Sequence, residues 1–235
     1  MRILVTRPEP DAADTMRTLE TRGHVALCAP LLEIRFRDGP EIDLSDVAAV
    51  MITSANGIRA LARRTPVRSV PVFAVGKQSA AAAEDDGFRL GGQSDGDAKA
   101  LAALVKSRLR PDGGPILHAC GAETRGDLAG RLTAAGYDVR TSVLYDAVAA
   151  TGFPSSITAA LCDGTVDAIL FYSPRTAGIF AELARRDGLE AACRGIVAIC
   201  ISEAAAASVS DLAFRRTRIA SHPSEDAILA ALDQD

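Results

Sequence analysis

The chain reads as an α/β protein made of two similar parallel-sheet domains, flavodoxin-like or Rossmann-like, joined by a two-stranded linker. Three observations predict this. Short aliphatic, β-branched runs alternate with Ala/Leu-rich helical segments along all 235 residues, the pattern of parallel strands covered by helices on both faces. The strand–loop–helix units then repeat in a fixed order. Finally, two stretches of alternating apolar and polar residues fall where the chain would pass from one repeat to the other.

Along the chain, "ILVT" is a buried strand followed by the helix "DAADTMRTLETRG". Ala12, Met16 and Leu19 share one face of that helix at helical spacing, and Gly23 suits the left-handed position after its end. Pro8 and Pro10 keep the helix from starting earlier. "PLLEIRF" alternates, with Leu32, Ile34 and Phe36 on one side, and predicts the first linker strand. Next come "VAAVMIT" with "SANGIRALARR", "VFAV" with "GKQSAAAAEDDG", and "GGQSDGD", which reads as a flexible glycine-rich loop leading to a helix cap at Asp97. "PIL" precedes the helix "ETRGDLAGRLTAAG", and "SVLYDAV" is the second linker strand. "AILFY" with "SPRTAGIFAELARRDG", "IVAIC" with "ISEAAAASV", and the closing helix "EDAILAAL" complete the alternation.

The repeats pair "ILVTRPEPDAADTMRTLETRGHV" with "ILHACGAETRGDLAGRLTAAGYDV", "MITSANGIRALA" with "LFYSPRTAGIFAEL", "FAVGKQSAAAA" with "AICISEAAAAS", and "SDGDAKALAAL" with "PSEDAILAAL". With these four units named d, a, b and c, the chain reads d, a-b-c-d, a-b-c. Two equal halves result only if residues 1–35 join 148–235 around an inserted domain of residues 38–145. Two linker strands would then form a hinge on which the lobes open and close over a ligand.

A formal net charge of −4 and a pI near 5.5 argue against a nucleic-acid or anionic-membrane partner, which calls for a positive excess. No apolar run nears the roughly 20 residues that span a bilayer, and no signal-peptide pattern opens the chain, so a cytoplasmic protein is expected. Five cysteines, at 28, 120, 162, 193 and 200, form no C-x-x-C and read as reduced thiols; Cys28 and Cys200 behave as small hydrophobes at the ends of apolar runs. His24, His118 and His222 lie far apart without metal-ligand spacing, so no metal is assigned. The sequence holds no G-x-G-x-x-G after a strand, no G-x-x-x-x-G-K-[ST] and no nucleophile elbow, so no cofactor is expected.

Ligands of open parallel sheets bind beyond the carboxyl ends of the strands. Thr6, Arg7, Ser54, Asn56, Lys77, Ser79, Arg125, Ser173, Arg175 and Ser202 occupy such positions and are the candidate ligand-binding residues. Each also has a plainer reading. Ser54, Ser173 and Ser224 suit helix N-caps, the latter two with Pro174 and Glu225 behind them. The arginines could be solvated charges, and Tyr145 could simply pack under the hinge. A crevice of hydroxyls, arginines and helix N-termini, without a nucleophile, suits a polyanionic organic ligand.

The set "ILVTRP" with "RGHVALCAPLLEI", "ITSANGIRAL", "VFAVGKQSA", "LAGRLTAAGYDV" with "VLYDAV", "LFYSPRTAGIF" and "HPSEDAILAAL" resembles the uroporphyrinogen-III synthase family, in order and spacing, over essentially the whole chain. The resemblance implies a two-domain α/β lyase of tetrapyrrole biosynthesis that cyclises hydroxymethylbilane to uroporphyrinogen III, inverting the last ring and expelling water without metal or cofactor. It also implies a spiro-pyrrolenine intermediate and a monomeric enzyme whose partner is a small molecule, the linear tetrapyrrole octacarboxylate. A tyrosine of the second linker, proposed in the family to help the hydroxyl leave, matches Tyr145. Two departures stand out. Cys200-Ile201-Ser202 replaces a Gly-Pro-Thr common in relatives, and Cys120 precedes Gly121 where arginine is common, leaving His118 or Arg125 to supply that charge. The rival readings are a non-catalytic two-lobed binding protein for a polycarboxylate and a flavin or nucleotide oxidoreductase, the latter disfavoured by the missing phosphate loops.

Overall fold

The central strand runs "AVMI", "AILF" and "VAIC" are short and wholly apolar because they lie in sheets covered on both faces, where neither side of the pleat meets water. The computed structural model describes residues 1–124 and 126–234. From the N-terminus, β1 (Arg2–Val5) buries Ile3, Leu4 and Val5 completely. α1 (Asp11–Thr21) follows and ends at Gly23, whose φ of +78° accepts the left-handed turn. β2 (Val25–Cys28) and β3 (Leu32–Phe36) come next.

Then follow β4 (Ala49–Ile52), α2 (Ala55–Ala62), β5 (Val72–Val75), α3 (Gly76–Asp85), β6 (Leu90–Ser94), α4 (Ala98–Arg108), β7 (Ile116–Gly121), α5 (Leu128–Thr133) and the long β8 (Val139–Ala149). The chain closes with α6 (Ser155–Cys162), β9 (Ala168–Phe171), α7 (Pro174–Arg186), α8 (Glu190–Cys193), β10 (Val197–Cys200), α9 (Glu203–Ala207), β11 (Arg216–Ile219) and α10 (Glu225–Leu232).

Two units result, Met1–Glu33 with Val148–Asp235, and Ile34–Ala147. The sheet of the first unit has the strand order β2-β1-β9-β10-β11, all pairs parallel. Numbered along the chain this is 2-1-3-4-5, the flavodoxin-like order. The second sheet runs β8-β7-β4-β5-β6, with β3 added beside β8. Moving β7 and β8 ahead of β4 gives the first order again, so one unit is a circular permutation of the other. The repeated sequence units d, a, b and c occupy equivalent places in the two sheets.

Alternate residues of each strand feed opposite faces. In the first unit Leu4, Ile169, Phe171, Ala198 and Cys200 join one core; Ile3, Val5, Leu170, Val197 and Ile199 join the other. In the second, Val50, Ile52, Val72 and Leu117 face one side; Ala49, Met51, Phe73 and Ile116 face the other. Burial raises the thiol pKa of Cys193 to about 11 and that of Cys200 to about 12, so both remain protonated. Cys28 is only partly buried.

Two segments differ from the sequence expectation. "GGQS" is no flexible loop but most of strand β6. A Cβ on Gly91 or Gly92 would come within 2.9 or 3.3 Å of the Phe73 ring, so the missing side chains let that ring lie across the strand at a bulge between Val72 and Phe73. The helix expected over "ETRGDLAGRLTAAG" is only Leu128–Thr133. Gly126, at φ +72°, breaks it upstream, and the Asp127 carboxylate accepts from the Gly130 amide at 2.9 Å to start it late. The Asp97 cap forms as expected, accepting from the Lys99 and Ala100 amides.

Candidate active site

In the second unit, β4 delivers Ser54 to the head of α2. Ser54 is extended there (φ −156°, ψ 145°) and its hydroxyl oxygen accepts from the Asn56 amide at 3.2 Å. Asn56 is buried, its side-chain oxygen accepting from Arg59 at 3.3 Å. One turn in, Gly57 lies so close to β7 that a Cβ would be 2.6 Å from the Ala119 carbonyl oxygen. Only glycine lets the start of α2 settle onto the end of that strand.

The end of β7 places the tyrosine. Pairing between β7 and β8 slips after Cys120, so that Gly121 stands opposite Tyr145, and the Ala122 amide donates to the Tyr145 carbonyl at 2.9 Å. A bulge of this kind re-aims a side chain. A Cβ on Gly121 would lie 2.7 Å from Tyr145 Cζ and 3.1 Å from its hydroxyl oxygen, so the phenol rests on bare backbone. The half-buried ring meets the Ser54 hydroxyl. Burial pushes its pKa up, the Ser54 hydrogen bond pulls it down, and neighbouring Cys120 adds to the rise.

The other candidates of this unit are scattered. Lys77 is exposed in the first turn of α3, where a cation can meet an anionic ligand. Ser79 is buried within α3 rather than open on a loop. Arg125 lies outside the described residues. His118 does not supply the missing charge: it is buried in β7 with Nε2 unpartnered among the described residues, and burial lowers its pKa, keeping the ring neutral at pH 7.

In the first unit Thr6 and Arg7 are engaged within the fold. Thr6 is wholly buried and donates its hydroxyl to the Leu170 carbonyl on β9 at 2.7 Å. Arg7 is 5% exposed, paired to Asp11 at 3.2 Å and to Glu225 at 3.6 Å. It donates to Thr15 at 3.1 Å and lies 4.3 Å from the Tyr172 ring centre. Its charge is already matched, so the tip of β1 ties α1 and α10 to the sheet. Asp11, Thr15, Tyr172 and Glu225 carry no sequence signal for this cluster beyond the i, i+4 spacing of Arg7 and Asp11. Ser173 caps α7, accepting from the Thr176 amide at 3.0 Å; Arg175 is half-buried in its first turn. Ser202 caps the short α9. Among the described residues no group of three His, Cys, Asp or Glu could hold a metal.

Two permuted flavodoxin-like units, linked through β3 and β8, define a two-domain α/β protein with capped helix heads beyond its strands and a phenol seated on glycine. The family described as Uroporphyrinogen-III synthase HemD matches residues 13–230. The chain belongs to the uroporphyrinogen-III synthase family, cyclising lyases of tetrapyrrole biosynthesis that convert hydroxymethylbilane to uroporphyrinogen III. Similar solved structures share the fold. Uroporphyrinogen-III synthetase from Helicobacter pylori is 18% identical, with 98% of this chain and 97% of that one covered and a TM-score of 0.62. A mutant uroporphyrinogen III synthase from the extremely thermophilic bacterium Thermus thermophilus is 16% identical, with coverages of 99% and 97% and a TM-score of 0.53. No curated protein sequence matches the chain. A non-catalytic polycarboxylate-binding role is not favoured.

Proposed function

We propose that in this chain Tyr145 gives the proton with which the hydroxymethyl oxygen of hydroxymethylbilane leaves as water, while Lys77, Arg175 and the capped heads of α2 and α7 hold substrate carboxylates. The observation that carries this is the phenol of Tyr145, fixed by the β8 bulge over Gly121 at the carboxyl end of the sheet. The carbon–oxygen bond breaks with its electron pair on oxygen, and the pyrrole nitrogen supplies the electrons that replace it. The phenol protonates the departing oxygen; the proton returns when the closing pyrrole regains aromaticity. A phenol, with a reference pKa of about 10, is a weak acid but a sufficient hydrogen-bond donor for a leaving group already pushed by nitrogen.

The larger task is to fold a flexible chain so that its first methylene carbon reaches the substituted position of the last ring. Oriented binding can supply up to about 7–11 kcal/mol toward such a step. With a net charge of −4, the protein must hold the octacarboxylate through local positive groups and helix heads. The reading includes action as a monomer in the cytoplasm, which sedimentation and cell fractionation would check; among the described residues no helix is long and apolar enough to cross a membrane.

Chromatography of the product isomers tests the binding half. With freshly generated hydroxymethylbilane, the parent chain yields uroporphyrinogen III, and Arg175→Ala releases more bilane to close spontaneously as isomer I. Unchanged isomer purity in that variant would remove Arg175 from the binding set.

A further inference from the structure

The cap of α2 and the seat of Tyr145 are the same few atoms, which gives Ser54 a second task. A serine hydroxyl has two acceptor sites and one donor. The helix uses an acceptor site, through the Asn56 amide at 3.2 Å. The donor remains, and Tyr145 is the group it meets.

Two glycines make that meeting possible. Gly57 allows the head of α2 to reach β7, within what would be 2.6 Å of the Ala119 carbonyl for a Cβ. Gly121 allows the Tyr145 ring to lie on the backbone, 2.7 Å from where a Cβ would stand. With both in place, the phenol is held from below by backbone and from one side by a hydroxyl whose own position is fixed by a helix.

We propose that Ser54 is a positioning residue for the ring closure: its hydroxyl donates to the Tyr145 phenolic oxygen and turns the phenol's own proton away from α2, toward the departing hydroxyl. This rests on the reading of Tyr145 as proton donor. The Ser54 hydrogen bond stabilises the tyrosinate left after proton transfer, and the positive end of α2 works in the same direction. The direction of the Ser54 effect on the phenol, downward against burial, agrees. No atom of Ser54 enters the covalent chemistry; the proton that reaches the leaving oxygen is the one on Tyr145.

Ser54 would also be retained if it only capped α2, so the test must separate the two tasks. Glycine is a tolerated N-cap whereas alanine is not, so Ser54→Gly removes the hydroxyl and spares the helix. Expected is a fall in kcat of about 10-fold, the worth of roughly one hydrogen bond to a charged group, with KM unchanged and with recovery in Ser54→Thr. In a Tyr145→Phe background the same substitution changes kcat by less than about twofold, because coupled residues do not add. Alkaline titration by tyrosine absorbance should show the Tyr145 midpoint higher in Ser54→Gly than in the parent, with the corresponding Tyr145→Phe variants identifying the signal. An equal loss of kcat in both backgrounds, a rise in KM with kcat intact, or an unmoved phenol midpoint would each overturn the positioning role. A Tyr145→Phe variant as fast as the parent would overturn the proton-donor reading instead.

Discussion

Two tyrosines, Tyr172 just past the end of β9 and Tyr145 within β8 opposite the last residue of β7, live in opposite company. Tyr172, in the first unit, points its hydroxyl at the Glu225 carboxylate, 3.5 Å away. Burial, then that carboxylate, push its pKa up to about 12, against smaller opposing effects of Arg7 and Thr15. Tyr145, in the second unit, faces a neutral serine that helps rather than hinders its ionisation. A phenol next to a carboxylate is held in its protonated form and its proton is already engaged; a phenol next to a hydroxyl donor can release its own. The same contrast extends to the neighbouring strand tips. Thr6 and Arg7 are consumed by structure, with Asp11, Thr15 and Glu225 as partners, whereas Gly121 offers no side chain at all and leaves room for the phenol.

The largest break in this contrast comes from filling the seat. Gly121→Val puts atoms where Tyr145 Cζ stands 2.7 Å from a Cβ. Turnover should fall by about 100-fold or more, the lower range of general-acid contributions, while circular dichroism keeps the α/β signature. An active, well-folded Gly121→Val enzyme would mean that the ring need not lie there. Next is the opposite tip. Arg7→Leu leaves Asp11 and Glu225 facing a buried gap, and breaking a buried pair costs about 3 kcal/mol. Urea unfolding should show that loss with KM nearly unchanged. Thr6→Val strands the Leu170 carbonyl, at about 1–2 kcal/mol. A large rise in KM from either variant would return these residues to the substrate.

The smallest effect sharpens the contrast through pH. The unfolded Tyr172 phenol gives up its proton near 10, the folded one near 12. The raised folded value therefore contributes stability that is fully present below pH 10 and is lost as pH rises from 10 through 12, because the unfolded state then binds fewer protons. Tyr172→Phe should flatten that part of the stability curve. An identical alkaline limb in the parent and the variant would mean that Tyr172 is not the group responsible.

What the sequence could convey follows the range of the forces involved. Buried strands such as "AVMI" and "AILF" declare themselves because both faces are apolar, and the repeated units are visible because equivalent places in the two sheets demand similar residues. Caps are legible for the same reason of locality: Ser54, Asp97, Ser173 and Ser224 act on amides two or three positions ahead. Gly91 and Gly92 misled because a strand whose missing side chains are filled by Phe73 from the next strand looks like a loop when read alone. The pairing of Arg7 was hidden for a similar reason: Glu225 lies at the other end of the chain, and no local pattern records that the two meet. The Ser54–Tyr145 contact is equally non-local, made by two glycines and a bulge, none of which has a distinctive sequence form.

Turnover of Tyr145→Phe and Tyr172→Phe, measured side by side on hydroxymethylbilane with the spontaneous reaction subtracted, tests the assignment of the chemistry to the second unit most directly. Tyr145→Phe should lose about 100-fold in kcat and Tyr172→Phe less than about twofold. Equal losses, or the greater loss in Tyr172→Phe, would contradict it.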